Sequence, residues 1–123
     1  MERDFLRLSG FTRDDRHEMI ARVGRAFAES NGSIIDFKMF SNVSLNILFE
    51  LPARRVGELA AALAATGLRL DAASRDLLAE RRERDAADPA AASSPSNEIA
   101  GSLQITFIHH EPDLRIEVPP IPG

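Results

Sequence analysis

Three groups of residues in this 123-residue chain have side chains that could do chemistry. His109-His110-Glu111, with Asp113 close by, is the densest run of metal-ligating types. Neighbouring residues on a strand point to opposite faces, so the two histidines cannot easily share one ion. His109 with Glu111 supplies two ligands, short of the roughly four that close a structural zinc site. The run therefore reads as polar residues closing a hairpin. His17 beside Asp14 and Asp15 suggests acid–base work, but neither a nucleophile nor an oxyanion arrangement accompanies it, and a turn-and-cap role accounts for all three. Arg81-Arg82-Glu83-Arg84 is balanced by Glu80 and Asp85, which is the pattern of a solvated helix face rather than of a phosphate site. The sequence has no glycine-rich phosphate loop, no Gly-x-Ser-x-Gly and no His-Glu-x-x-His. It contains no Cys, Trp or Tyr, which excludes thiolate chemistry and leaves few rings for base stacking. The expectation is a chain with no catalytic residue, no metal site and no cofactor.

The bulk properties point the same way. A net charge of −4 gives no basic surface for phosphate neutralisation, so no nucleic-acid partner is expected. No apolar run approaches the roughly 20 residues that span a bilayer, and Met1-Glu2-Arg3-Asp4 leads directly into a strand-like run. No membrane partner and a cytoplasmic location are expected. With 44% apolar residues, the length suits one domain with a short appendage.

The apolar spacing predicts the elements that must position these residues. In the first strand, Leu6 and Leu8 share one face, with Phe5, Arg7, Ser9 and Phe11 on the other. Met19, Val23 and Phe27 then form one face of a helix, with Asp15 and Glu18 in capping-box register and Asn31-Gly32 as the stop. Ile35, Phe37 and Met39 alternate in a second strand, and Leu45, Ile47, Phe49 and Leu51 in a third, with Ser41-Asn42 turning between them. Pro52 suits a first helical turn. Val56, Leu59, Ala60 and Leu63 form a second amphipathic face, closed near Gly67, and Leu68 and Leu70 begin a fourth strand.

The expected fold class is α+β: a ferredoxin-like βαββαβ antiparallel sheet with two helices on one face, plus a C-terminal β-hairpin. The faces bearing Leu6, Phe37 and Ile47 should point at the helices. The opposite face should carry Phe5, Ile34, Phe40 and Leu48 beside Arg7, Asp36, Lys38, Asn46 and Glu50, and that mixture suits a partner subunit. Ser74 is expected to cap a charged helix over 75–87, with Glu80 and Arg84 spaced for an ion pair. A linker follows over 88–97. Leu103, Ile105 and Phe107, then Leu114, Ile116 and Val118, alternate as the two arms of the hairpin. The domain organisation is 1–78 as the main domain, 79–98 as helix end and linker, and 99–123 as a hairpin extension packing on the sheet or on a partner subunit.

Several segments in order resemble the ACT domain family, with the nearest likeness in the amino-terminal regulatory domains of bacterial phosphoserine phosphatases and in the glycine cleavage repressor type. They are Ser9-Gly10-Phe11 running into Asp15-Arg16, Ile20-Ala21-Arg22-Val23, 31–36, 44–52 and Gly67-Leu68-Arg69-Leu70. The likeness covers somewhat over half the chain. It implies a non-catalytic regulatory domain, dimeric as a homodimer, that binds a small metabolite such as an amino acid near the first strand-to-helix turn and at the subunit interface. Carried over by position, the ligand-binding candidates are Thr12, Asp14, Asp15, Arg16 and His17, with Asn31 and Ile34 facing them. One departure matters. Where the family typically reads Asp-Arg-Pro-Gly, this chain has His17-Glu18 after Asp15-Arg16. A Glu side chain there obstructs close approach to the backbone and repels a carboxylate. The alternative is a protein-interaction or dimerisation module with a degenerate pocket.

Overall fold

The computed structural model describes residues 5–41, 43–92 and 97–108. Strand β1 (Phe5–Thr12) leads into helix α1 (Arg16–Glu29), and β2 (Ser33–Ser41) and β3 (Ser44–Pro52) form an antiparallel hairpin. A 3-10 turn (Ala53–Arg55) feeds α2 (Val56–Ala65), which is followed by the two-residue strand β4 (Arg69–Leu70). Helix α3 (Ala72–Ala87) and the short α4 (Pro89–Ala92) then lead to β5 (Glu98–Phe107).

The fold is α+β, but the sheet is mixed and has five strands in the order β2-β3-β5-β1-β4. The ferredoxin-like order expected from the sequence is not what forms. The C-terminal strand is not a peripheral hairpin arm: it lies between β3 and β1, antiparallel to the first and parallel to the second. Ile99, Leu103, Ile105 and Phe107 are all buried and form its helix-facing side. With both edges taken over most of its length, β5 offers no free edge to a hairpin partner. The predicted second arm (Leu114, Ile116, Val118) and the His109-His110-Glu111 run lie outside the described residues.

Central placement requires a glycine. Gly101 sits opposite Phe49 on β3 and Leu6 on β1. A Cβ there would come within 2.5 Å of the Phe49 ring and 2.6 Å of the Leu6 carbonyl oxygen. The missing side chain lets the Phe49 ring lie across β5 and reach Phe27 of α1, with ring centroids 4.8 Å apart. Leu6, Leu8, Leu45, Ile47 and Leu51 complete the helix-facing side of the sheet, against Met19 and Val23 of α1 and Leu59 and Leu63 of α2.

Helix ends follow local chemistry. Asp15 caps α1 by accepting the Glu18 N–H at 3.0 Å, while the Glu18 side chain pairs with Arg22 at 3.0 Å instead of reaching back. Asn31 adopts φ 61°, the left-handed conformation that ends a helix. Helix α3 starts earlier than the sequence suggests: Asp71 is its cap, accepting the Ser74 N–H at 2.8 Å, and Ser74 is buried in the first turn. Ser74 Oγ instead serves the edge of β1, accepting the Ser9 N–H at 2.8 Å and donating to the Ser9 carbonyl at 3.3 Å. It supplies a sheet-like hydrogen bond where the short β4 has ended. Arg81 departs from the expected solvated face. It is buried and pairs with Asp85 at 3.2 Å.

Candidate interaction surface

The strand-to-helix turn is assembled locally. Thr12 ends β1 as a buried residue whose hydroxyl accepts the Asp14 N–H at 3.0 Å. Asp15 is committed to the α1 cap, Arg16 opens the helix, and His17 lies exposed on its first turn. Arg22, one turn further along, closes the site. Its guanidinium donates to Asp14 Oδ2, to Glu18 Oε1 and to the Thr66 carbonyl, each at 3.0 Å. A carboxylate ligand would meet three acidic side chains at this helix end, and the cation best placed to receive it already serves three acceptors. No functional expectation attached to Arg22 at the level of sequence, although its i,i+4 spacing from Glu18 was readable.

The remaining candidates lie elsewhere. Asn31 follows the other end of α1, which at 14 residues is about 21 Å long. Ile34 is on β2 opposite Phe49. The structure therefore brings Thr12, Asp14, Asp15, Arg16 and His17 together and sets Asn31 and Ile34 apart from them within one chain.

Ile34 also sits on the other sheet face from the one expected, for a structural reason. Between Ile34 and Asp36 the register with β3 shifts by one residue, as it does again between Met39 and Ser41. Ile35 and Phe40 are thus extra residues in two bulges, and the first bulge puts Ile34, Phe37 and Met39 on the helix-facing side. No helix covers them. All nine residues of β2 are exposed, and Ile34, Ile35, Phe37, Met39, Phe40 and the turn residue Val43 are between 41% and 63% accessible. β2 ends the strand order, so among the described residues no strand lies along its outer side. A long, largely apolar edge strand is a template for another strand, and proteins ordinarily blunt or cover such edges.

Two other surfaces are less distinctive. The open sheet face holds a shallow depression of about 280 Å³ among Phe5, Arg7, Asn46, Leu48, Ser102 and Gln104, with Arg7 stacked 5.0 Å from the Phe5 ring centroid. Between α2 and α3 lies a groove of about 390 Å³ with Ala60, Leu68 and Leu78 in its floor and Arg69, Arg75 and Arg82 at its rim. Arg75 there donates to the Leu70 carbonyl at 2.7 Å. Among the described residues, no group of three or more His, Asp or Glu side chains could hold a metal ion, and no helix is long and apolar enough to cross a membrane. No family model matches the chain, nor does any curated protein or solved structure.

Proposed function

We propose that this protein is a non-catalytic association module whose working surface is the outer edge of β2, and that the turn before α1 is a closed structural joint. The observation that carries this reading is the exposure of every residue of β2 together with its row of large apolar side chains. Strand addition suits such an edge: backbone hydrogen bonds supply affinity, and the side chains on each face supply specificity. The metabolite-binding role implied by the ACT resemblance is weaker, because Arg22, Asp14 and Glu18 satisfy one another where a ligand carboxylate would have to enter.

A photo-reactive side chain at Phe40, with matched probes at Glu29 on α1 and Gln104 on the open face, tests the proposal in cells expressing the full chain. Discrete adducts from position 40 and none from 29 or 104 support it. Equal labelling from all three positions, or none from any, overturns it. A thermal-shift screen with the twenty amino acids at millimolar concentration tests the metabolite reading, since a ligand selective for the folded state raises the melting temperature by mass action. A flat response is expected; a clear rise with one amino acid would restore that reading.

A further inference from the structure

We infer that the occupant of the β2 edge is a second copy of the same chain, paired antiparallel about a two-fold axis at Phe37; this rests on the reading of β2 as the working surface. Strand β2 reads Ser33-Ile34-Ile35-Asp36-Phe37-Lys38-Met39-Phe40-Ser41. It is palindromic in chemical type about its centre. In an antiparallel pair centred on Phe37, the regular stretch between the two bulges sets Phe37 against its own copy and Asp36 against Lys38, with Met39 beside the bulge residue Ile35. Within that stretch Phe37 meets Phe37, and Asp36 and Lys38 each meet the opposite charge across the seam.

Charge also fixes the register. Residues directly opposite in an antiparallel pair point to the same side of the sheet, and like charges placed so are destabilising. Sliding the pairing by one step in either direction that keeps both sets of helices on one side sets Asp36 against Asp36 or Lys38 against Lys38. Slipping it by an odd step turns Phe37 toward Lys38 and puts the two sets of helices on opposite faces. Among the registers within one step of it, the Phe37-centred one alone avoids both faults, and it alone sets Asp36 against Lys38. The segment 36–39 that it uses most is the stretch of β2 between the two bulges, where the ladder to β3 is regular. The result joins two five-stranded sheets into one continuous sheet with all helices on one side. Phe37 and Met39, left uncovered in one chain, meet their counterparts across the seam.

The purified full chain, followed by sedimentation over a range of concentrations, tests the inference through charge exchange. The wild type should show a monomer–dimer equilibrium. Asp36→Lys alone and Lys38→Asp alone each turn two attractive pairs into two repulsive ones and should weaken the dimer about tenfold or more, with unchanged circular dichroism. The double variant Asp36→Lys/Lys38→Asp should recover dimerisation. Mixing the two single variants should produce a heterodimer, because one chain then carries a lysine at both positions and the other an aspartate at both, so each pair across the seam is again opposite in charge. A dimer indifferent to these exchanges overturns the register and the inference with it. A strictly monomeric wild type also overturns it, whether β2 amides are protected from hydrogen exchange, as they would be under the chain's own residues 109–123, or exchange freely. Position-40 adducts heavier than twice the chain mass would then leave the association reading standing with a different partner.

Discussion

Replacing Ser74 with Ala should destabilise the fold by about 1–2 kcal/mol, because Ser74 is the joint between α3 and β1. β4 pairs with β1 only at Gly10 and Phe11, so Ser9 is the first residue past that ladder. Its carbonyl accepts the Asp71 N–H at 2.9 Å and keeps that partner whatever occupies position 74. Its N–H has Ser74 Oγ at 2.8 Å, and alanine removes that acceptor. The cost is therefore one orphaned, half-buried donor, near the lower end of the range for stranded polar groups, together with the Ser74 side-chain contribution to holding Asp71 ionised. For a domain of this size it corresponds to a fall of about 3–8 °C in melting temperature. Urea unfolding should show a lower midpoint at constant slope, and native-state hydrogen exchange should show faster exchange at the Ser9 amide. Ser102→Ala on the open face is the control and should stay within about 0.5 kcal/mol of wild type. A Ser74→Ala variant equally close to wild type, with the Ser9 amide as protected as before, would refute the reasoning.

Gly101→Ala should cost about 1–3 kcal/mol or more, since the Leu6 carbonyl 2.6 Å from the new Cβ belongs to a paired backbone and cannot swing aside; Gly24→Ala in α1, with open space around it, should stabilise by roughly 0.5–1 kcal/mol, and chemical denaturation measures both. Phe49→Ala should cost about 3–5 kcal/mol, whereas Phe37→Ala, measured on dilute monomer, should cost under about 1 kcal/mol. Equal losses would mean that β2 is covered within one chain. Asp71 is held below its ordinary value of 3.8 first by the Ser74 side chain, then by the Ser74 backbone N–H and the Arg75 charge, against a small desolvation effect. Depressed in the folded state, it contributes stability that is present above that ordinary value and lost as pH falls through the folded one. Asp71→Asn should therefore flatten the acid limb of a stability profile below the ordinary carboxylate value of 3.8, and an unchanged limb would contradict the assignment.

The hydrophobic periods of β1, α1, β3 and α2 were legible because each of these elements buries the face that its pattern marks. β2 carries an equally clear pattern, and there the pattern misleads. A bulge is a register event against β3, and nothing in the run Ile34-Ile35-Asp36 announces which residue will be extra. The position of β5 was illegible for a related reason. Alternation of Leu103, Ile105 and Phe107 specifies a strand with one buried face but not its neighbours, and Gly101, the residue that reports central placement, means nothing until Phe49 is known to lie opposite. Ser74 looked like a cap because serine commonly caps helices, but Asp71, three residues earlier, does so with a carboxylate and frees the hydroxyl for β1. At the turn, the carbon skeleton of the site was readable and its electrostatic closure was not. Arg22 joins Asp14, eight residues away, to the Thr66 carbonyl, 44 residues away, and only the packing of α1 on α2 brings those acceptors together.

The central insertion of β5 and the bare edge of β2 are two sides of one geometric fact. Without β5 the remaining strands would run β2-β3-β1-β4, and α1 and α2 side by side, with axes about 8–10 Å apart, would reach across them. A strand added in the middle moves β2 outward by about 4.8 Å relative to β1. The helices stay centred over β3, β5 and β1, where Phe49, Leu103 and Leu8 are buried against them. Ile34, Phe37 and Met39 keep the orientation of core residues and lose the cover. A chain that only needed to solve its own packing would gain by making those positions polar, as edge strands usually are. Keeping them apolar, with one acid and one base at matched distances from Phe37, makes sense when the missing cover is another strand with the same sequence.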